Sequence, residues 1–223
     1  MTVRLAVLVS GSGTNLQAIL DAVCTGLLHA EVGLVLSNKP GVQSLARAEA
    51  AGVPAVVLSH RSFPTREAFD GEIVRELRLH RIDIVVLAGF MRIVTPVLLG
   101  AFPNRVVNIH PSLLPSFPGL DAQGQAFRAG VAVTGCTVHL VDGGMDSGAI
   151  LAQAVVPVLA DDDESRLSAR ILAEEHRLLP RVLEWFAAGL VSVHEDAAGV
   201  ARVTVNGRAR VAISPAFLQV FDP

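Results

Sequence analysis

The sequence predicts a doubly wound α/β fold: a mostly parallel sheet with an antiparallel edge, followed by a long C-terminal helix and a small β-hairpin. Short apolar runs alternate with helical stretches through the first half of the chain, which is typical of parallel strands buried on both faces. Two apolar runs later follow one another closely, which indicates antiparallel pairing. The chain has 223 residues, 51% of them hydrophobic, so it can bury a substantial core.

The first half of the chain predicts strand and helix in alternation. The apolar run Val3–Val9 predicts a strand that ends in a glycine loop at residues 10–15. Apolar residues recur at helical spacing from Leu16 to Leu27, so a helix is expected directly after that loop. The other elements predicted here are strands at 32–36, 55–58, 82–88 and 106–109, and helices at 44–51 and 65–80.

The second half predicts the edge of the sheet, a helix and a hairpin. Residues 137–141 and 150–158 are two strands close in sequence, expected to pair at an antiparallel or mixed edge. The acidic run at 161–164 favours a helix N-terminus, because carboxylates cap free N–H groups and interact with the helix dipole. This helix should kink at Pro180. Alternating residues around Asn206-Gly207 predict a hairpin with arms at 200–205 and 208–213.

The composition excludes several classes of function. A net charge of -3 and 17% charged residues leave no basic surface for nucleic acid or for a membrane. The apolar stretch 84–103 contains Arg92 and Pro96, which favours a buried strand followed by a loop over a membrane span. Cys24 and Cys136 stand in apolar sequence without a partner motif, which indicates buried thiols. The opening apolar run is too short for a signal peptide, so a cytoplasmic location is expected.

The glycine loop Ser10-Gly11-Ser12-Gly13-Thr14-Asn15 places backbone N–H groups at a helix N-terminus, an arrangement that suits a phosphate. Leu16 stands where a dinucleotide-binding loop has its third glycine, and Asn38 rather than an acid follows the second strand. The lysine of a nucleoside-triphosphate loop is also missing. These differences disfavour a nicotinamide cofactor and favour a single phosphate on a small substrate. A tight turn that needs glycine for positive φ explains the same residues equally well.

Asn108 and His110 stand at the carboxyl end of a predicted parallel strand, where open α/β sheets bind ligands. They are two residues apart and therefore point to the same side of the strand. The glycine-rich loop 142–148 carries two carboxylates, and one of them would favour a charged His110 if the loop folds over the same edge. The alternatives are a structural histidine and a solvated turn. His139 is interpreted as a core or supporting residue, and the histidine spacing does not favour a metal centre.

Several motifs, in order along the chain, resemble the folate-dependent formyltransferases, and among these the phosphoribosylglycinamide formyltransferases. The motifs are the loop 10–15 with Leu16-Gln17-Ala18-Ile19, the run Leu87-Ala88-Gly89-Phe90-Met91-Arg92-Ile93, residues 108–115 with Pro118-Gly119, residues 135–139 with Asp146-Ser147-Gly148, and Glu175-His176. The resemblance covers roughly residues 3–189. The glycine loop is similar to the version that holds the phosphate of glycinamide ribonucleotide. The methionyl-tRNA enzymes have a different first loop and an added RNA-binding domain.

The resemblance implies formyl transfer from 10-formyltetrahydrofolate to the amine of glycinamide ribonucleotide in purine biosynthesis, without a metal or a covalent enzyme intermediate. It implies two small-molecule substrates, no nucleic-acid or membrane partner, and either a monomer or a homodimer. It also implies a catalytic domain at 1–189, with a ribonucleotide half at about 1–100 and a folate and catalytic half at about 85–189. Residues 190–223 would form a C-terminal hairpin extension of that domain.

The same resemblance implies roles for individual residues. Asn108 and a protonated His110 would stabilise the oxyanion, and His110 with Asp146 would act as general acid and base. The implied binding residues are Gly13, Thr14 and Asn15 for the phosphate, Arg66, Met91, Arg92, Ile93, Val94 and Asn108 for the folate, and Glu175 for the ribonucleotide. Ser116 and Asp121 depart from the family pattern, since some members have a basic residue and a histidine there.

Two other hypotheses remain open at this point. A hydrolase that releases formate from the same folate needs the same oxyanion donors, because water would attack the same carbon. A nucleotide- or folate-binding sensor is the non-enzymatic alternative, because the fold alone does not specify an activity.

Overall fold

The computed structural model describes residues 2–197, 201–209 and 211–213. The strands in these ranges are β1 (Val3–Val9), β2 (Ala30–Ser37), β3 (Ala55–Val57), β4 (Ile84–Leu87), β5 (Val106–His110), β6 (Val133–Leu140), β7 (Ile150–Pro157), β8 (Val191–Glu195), β9 (Ala201–Val205), β10 (Arg208–Ala209) and β11 (Val211–Ile213). The helices are α1 (Thr14–Cys24), α2 (Gln43–Ala50), α3 (Arg66–Leu79), α4 (Pro96–Ala101), α5 (Ala122–Ala129) and α6 (Glu164–Ala187), with a 3₁₀ turn at His60–Ser62.

Eight strands form one twisted sheet in the order β11-β7-β6-β5-β4-β1-β2-β3. The strands from β3 to β5 in that order are parallel, whereas β6 is antiparallel to both β5 and β7. The predicted doubly wound sheet and its antiparallel edge are therefore confirmed. Strand β5 is the last strand of the parallel set, and on its other side it pairs with the antiparallel β6.

The core lies on both faces of this sheet. Alternate residues of β1 belong to two apolar clusters: Leu5, Val7 and Val9 pack under α1 and α6, while Ala6 and Leu8 pack under α3 and α4. Because both faces are covered by helices, the central strands have continuous apolar sequences, as buried parallel strands do.

Helix α6 begins as its acidic sequence predicts. Asp163 is the N-cap, and its carboxylate accepts a hydrogen bond from the Arg166 N–H at 2.8 Å. The helix continues through Pro180 to Ala187 as one element, and the kink expected at Pro180 remains a prediction.

The C-terminal region differs in part from the predicted hairpin. Asn206 and Gly207 have φ values of 49° and 73° and join β9 to β10, as the turn signal predicts. The prediction for the second arm of the hairpin is wrong beyond residue 209, because β11 pairs in parallel with β7 at the edge of the large sheet. Strand β8, which the sequence did not indicate, completes a three-stranded sheet with β9 and β10. Residues 200 and 210 of the predicted arms lie outside the described residues.

Three further points correct or complete the sequence-based view. The stretch 84–103, expected to be a strand and a loop, also contains α4, which begins with Pro96 at its first turn. Cys136 is buried but Cys24 is exposed, because it is the last residue of α1 and faces solvent. In the ranges that the structure describes, no helix combines the length and apolar character needed to cross a membrane.

Candidate active site

Asn108 and His110 project from the same face of β5. Val107 and Ile109 alternate with them and pack into the cluster under α1 and α6, so the two polar side chains point to the opposite face. His139 of β6 is the register partner of Asn108 and shares that face. The loop between β6 and β7 folds back over these side chains and adds Asp146.

Asp146 is the residue around which this cluster is arranged. Its Oδ2 accepts a hydrogen bond from the Gly119 N–H at 2.8 Å and lies 3.4 Å from Nδ1 of His110. Its Oδ1 lies 3.4 Å from Nδ2 of Asn108 and 3.7 Å from Nε2 of His139. The structure thus brings the three candidate catalytic side chains together.

Both ring nitrogens of His110 face oxygen atoms. Nε2 lies 2.9 Å from the Phe117 carbonyl oxygen, and Nδ1 faces the Asp146 carboxylate. A neutral imidazole has only one N–H, so only the doubly protonated ring donates to both oxygens. The ring is buried between a carbonyl oxygen and a carboxylate oxygen, which fixes its orientation.

His139 supports Asn108. Burial lowers the pKa of His139, which favours the neutral ring. Its Nδ1–H donates to the Leu140 carbonyl at 2.8 Å, which leaves Nε2 to accept a hydrogen bond from the Asn108 amide at 3.1 Å. His139 is 2% exposed and orients the Asn108 amide, in agreement with its interpretation as a supporting residue.

The loop after β5 is held against β6 by side-chain hydrogen bonds. Thr137 Oγ1 accepts from the Leu114 N–H at 3.1 Å and donates to the Ser112 carbonyl at 2.6 Å. Ser112 Oγ donates to the Ser116 carbonyl at 2.6 Å. These bonds fix the backbone that presents the Phe117 carbonyl to the histidine.

The glycine loop is enclosed by α2. Gly13 has a φ of 71°, and a Cβ there would lie 2.5 Å from the Cβ of Ser44. Arg47 Nε donates to the Ser12 carbonyl at 2.9 Å, and the Ser44 N–H donates to the Gly11 carbonyl at 3.2 Å. The N-cap residue of α1 is Gly13, which has no side chain to cap the first turn, so the N–H groups there suit an anion. Sequence reasoning missed Ser44 and Arg47, because nothing local in α2 signals a contact with this loop.

A buried polar pair joins α1 to α6. Asn15 Nδ2 donates to Oε2 of Glu175 at 2.7 Å. Burial raises the pKa of Glu175 to about 7, and the hydrogen bond from Asn15 acts in the opposite direction. Asn15 Oδ1 is buried and has no hydrogen-bond partner among the described residues, so it is available to a donor on a ligand. A groove of about 900 Å³ between the two helices reaches the glycine loop at Thr14.

The segment Met91 to Val94 follows β4 and therefore lies next to the Asn108 end of β5. Met91 and Ile93 are more than half exposed, whereas Val94 is buried. The Arg92 guanidinium lies 5.7 Å from the ring centroid of Phe69. Exposed apolar side chains beside a polar cluster suit a flat aromatic ligand.

Two candidate residues stand apart from this cluster. Arg66 is the exposed first residue of α3. Within the described part of the chain, neither Arg66 nor Glu175 forms a hydrogen bond or ion pair with the Asn108, His110 and Asp146 side chains. The same ranges contain no group of three or more His, Cys, Asp or Glu side chains suited to a metal ion.

This fold and this site define a folate-type formyltransferase domain, and the chain belongs to the formyl transferase family, whose pattern matches residues 3–183. Its relatives include two proteins named phosphoribosylglycinamide formyltransferase. The Escherichia coli K12 protein is 44% identical over 195 residues, which cover 87% of this chain and 92% of that protein. The Bacillus subtilis protein is 41% identical over 181 residues, 81% of this chain and 93% of that protein.

The chain is also similar to a protein of known crystal structure and to part of a larger protein. The crystal structure of glycinamide ribonucleotide transformylase 1 from Symbiobacterium toebii has a TM-score of 0.86 and 48% identity, over 91% of this chain and 94% of that one. The trifunctional purine biosynthetic protein adenosine-3 of Drosophila melanogaster is 49% identical over 195 residues, 86% of this chain. The chain spans only 14% of the length of that trifunctional protein.

Replacing Gly13 with alanine should lower the free energy of unfolding by about 2 kcal/mol, because the left-handed backbone and the contact with Ser44 both oppose a Cβ. Urea denaturation measures the loss. Gly11→Ala is the matched control: a Cβ at Gly11 has no neighbour within 4 Å, and its change should stay below about 1 kcal/mol. Equal losses in the two variants would contradict the packing of α2 on this loop.

The stability of the protein should depend on pH through Glu175. Its pKa is raised from 4.5 to about 7 in the folded state, so the stability it contributes is complete below pH 4.5 and is lost as pH rises through about 7. Glu175→Gln does not titrate. Between pH 4.5 and about 8, the unfolding free energy of this variant relative to wild type should increase by about 3 kcal/mol. Urea denaturation at both pH values tests this, and a difference independent of pH would refute it.

Proposed function

We propose that this protein transfers the formyl group of 10-formyltetrahydrofolate to the amine of glycinamide ribonucleotide. The products are formylglycinamide ribonucleotide and tetrahydrofolate, and the reaction belongs to purine biosynthesis. The observation that carries this proposal is the cluster in which Asp146 lies 3.4 Å from both the buried His110 and the partly buried Asn108, in a chain that belongs to the formyl transferase family. The names and nearly full-length coverage of the bacterial relatives support the choice of acceptor.

The cluster would act on the tetrahedral intermediate. The amine nitrogen attacks the formyl carbon, a C–N bond forms, and the carbonyl electron pair moves onto the oxygen. Asn108 and the His110 imidazolium would donate hydrogen bonds to that oxyanion. When the bond from carbon to the folate nitrogen breaks, that nitrogen gains a proton and the attacking amine loses one. His110 and Asp146 would carry this proton between them and the substrates, as general acid and base.

The ribonucleotide would bind along the start of α1. The N–H groups of Gly13, Thr14 and Asn15 would hold the phosphate, and the nearby Arg47 adds positive charge. Glu175 and the unpartnered Oδ1 of Asn15 would accept hydrogen bonds from hydroxyl or amine groups of the substrate.

The folate would bind on the other side of the cluster. Met91 and Ile93 present exposed apolar surface to its rings, next to Val94. Arg66 and Arg92 are cations placed to pair with the carboxylates of the glutamate part of the folate. Asn108 stands between the two substrates.

We also propose that residues 1–189 form the catalytic domain and that 190–223 extend it. The ribonucleotide half would reach about residue 100, and the folate and catalytic half would span about 85–189. Val203 and Val205 are buried in the same cluster as α6, which supports one continuous domain. The enzyme would work in the cytoplasm as a monomer or homodimer and would need no nucleic-acid or membrane partner.

The direct test incubates purified protein with glycinamide ribonucleotide and 10-formyltetrahydrofolate and follows the products by mass spectrometry. Formylated ribonucleotide should form only when enzyme and both substrates are present. A parallel sample omits the ribonucleotide. Formate released equally in both samples, without formylated product, would identify the hydrolase instead, and no turnover in either would identify a sensor or another acceptor.

His110→Ala and Asp146→Asn should each lower kcat by at least about 100-fold, because one removes a donor to the oxyanion and the other removes the charge beside it. The melting temperature should change little in Asp146→Asn. Asp142→Asn is the matched control, since Asp142 lies in the same loop but bonds to Gly144 and Ser147 instead of the cluster. Near-normal turnover in either cluster variant would exclude its assigned role.

A further inference from the structure

The folate-contacting segment, residues 91–94, is anchored at both ends. At its start, the Met91 N–H donates to the buried Ser10 Oγ at 2.9 Å. Directly after its end, the Thr95 N–H donates to Oδ2 of Asp70 at 2.5 Å. Between the anchors, Met91 and Ile93 project into solvent, whereas Val94 is buried and the Arg92 N–H donates to the Phe90 carbonyl at 2.8 Å. The two anchors therefore fix the ends of the segment.

Asp70 is an unusual anchor, because it comes from a different helix. It lies on α3 with 2% of its surface exposed, while Thr95 is the N-cap of α4. The free backbone N–H groups at the start of a helix usually donate to side chains within a few residues in sequence. The α4 residues have no polar side chain that could accept from the Thr95 N–H. The acceptor is Asp70, which lies 25 residues earlier in the chain.

Burying a carboxylate at this position lowers the free energy of unfolding, whereas burying an apolar side chain would not. Burial raises the pKa of Asp70, while the Thr95 N–H and the Arg92 guanidinium favour its charged form and Glu67 opposes it. Asp70 therefore acts on the segment in two ways. It accepts the hydrogen bond at the end of the segment, and its charge attracts Arg92, whose guanidinium lies over the ring of Phe69, the preceding residue on α3.

We propose that Asp70 is a positioning residue for the folate-contacting segment, which it holds through the Thr95 N–H. The inference rests on the proposed function, since it assigns residues 91–94 to folate binding. Asp70 does not touch the reacting atoms, so its loss should weaken folate binding more than it slows the chemical step.

The kinetic test compares Asp70→Asn, Asp70→Ala and wild type. Asp70→Asn keeps an oxygen acceptor but loses the charge, and the KM for 10-formyltetrahydrofolate should rise about fivefold. Asp70→Ala loses both and should raise that KM at least about tenfold. In both variants the KM for glycinamide ribonucleotide should stay within about twofold of wild type, and kcat should change less than the folate KM.

Glu72→Gln is the matched control. It makes the same change of a carboxylate to an amide on the same helix, but Glu72 pairs with Arg75 and not with the segment. All of its kinetic constants should stay within about twofold of wild type. Equal increases in both KM values, or an unchanged folate KM in folded Asp70 variants, would overturn the proposal.

Amide hydrogen exchange gives a readout that does not need activity. In Asp70→Asn, exchange at residues 91–95 should become faster, while exchange in β1 and β4 should match wild type. If wild type shows no formyl transfer but this local acceleration occurs, the proposed function fails and the positioning contact stands. If exchange accelerates across the whole protein or nowhere, the positioning role fails.

Ser10→Ala tests the same segment from its other end, should the Asp70 variants fail to fold. It removes the acceptor of the Met91 N–H. Faster exchange at residues 91–95 is expected, together with a higher KM for the folate. Unchanged exchange at these residues would overturn the view that the segment depends on its anchors.

Discussion

The active-site cluster depends on one carboxylate. Asp146 has a φ of 51° at the end of a loop that folds back over the sheet, and its two oxygens face four different groups. The Asp146 side chain is partly exposed, and its contacts with Gly119, His110 and Asn108 satisfy its two oxygens and set the arrangement of the cluster. The positions of these groups in the cluster therefore depend on Asp146.

The ends of adjacent strands bring the remaining parts of the site together. The glycine loop follows β1, residues 91–94 follow β4, and His110 ends β5. These three strands are neighbours and parallel. Ser10 connects the first two directly: its Oγ donates to Oδ1 of Asn38 at 2.7 Å and accepts from the Met91 N–H. The glycine loop and residues 91–94 are thus joined by a buried hydroxyl, because parallel strands place their carboxyl ends at one edge.

Those parts of the structure that depend on local pattern are predictable from sequence. The continuous apolar run of β1 and the two-residue spacing of Asn108 and His110 specify burial and direction by themselves. Strand β11 has only three residues and forms by pairing with β7, far away in sequence. The contact of Asp70 with Thr95 likewise depends on how α3 packs. Such contacts arise from tertiary structure, and no periodicity in the sequence carries them.

The departures from the family pattern at Ser116 and Asp121 can be explained on the same physical basis. Ser116 accepts a hydrogen bond through its backbone carbonyl, and Asp121 forms an exposed ion pair with Arg128 at 2.7 Å. Among the described residues, this loop reaches the cluster through two backbone groups, the Phe117 carbonyl and the Gly119 N–H. Side chains at 116 and 121 can therefore vary without moving those atoms. Gly119 is different: its φ is 81°, and a Cβ there would lie 3.1 Å from the sulfur of Met145. The geometry of the cluster thus constrains this glycine far more strongly than the two side chains that differ.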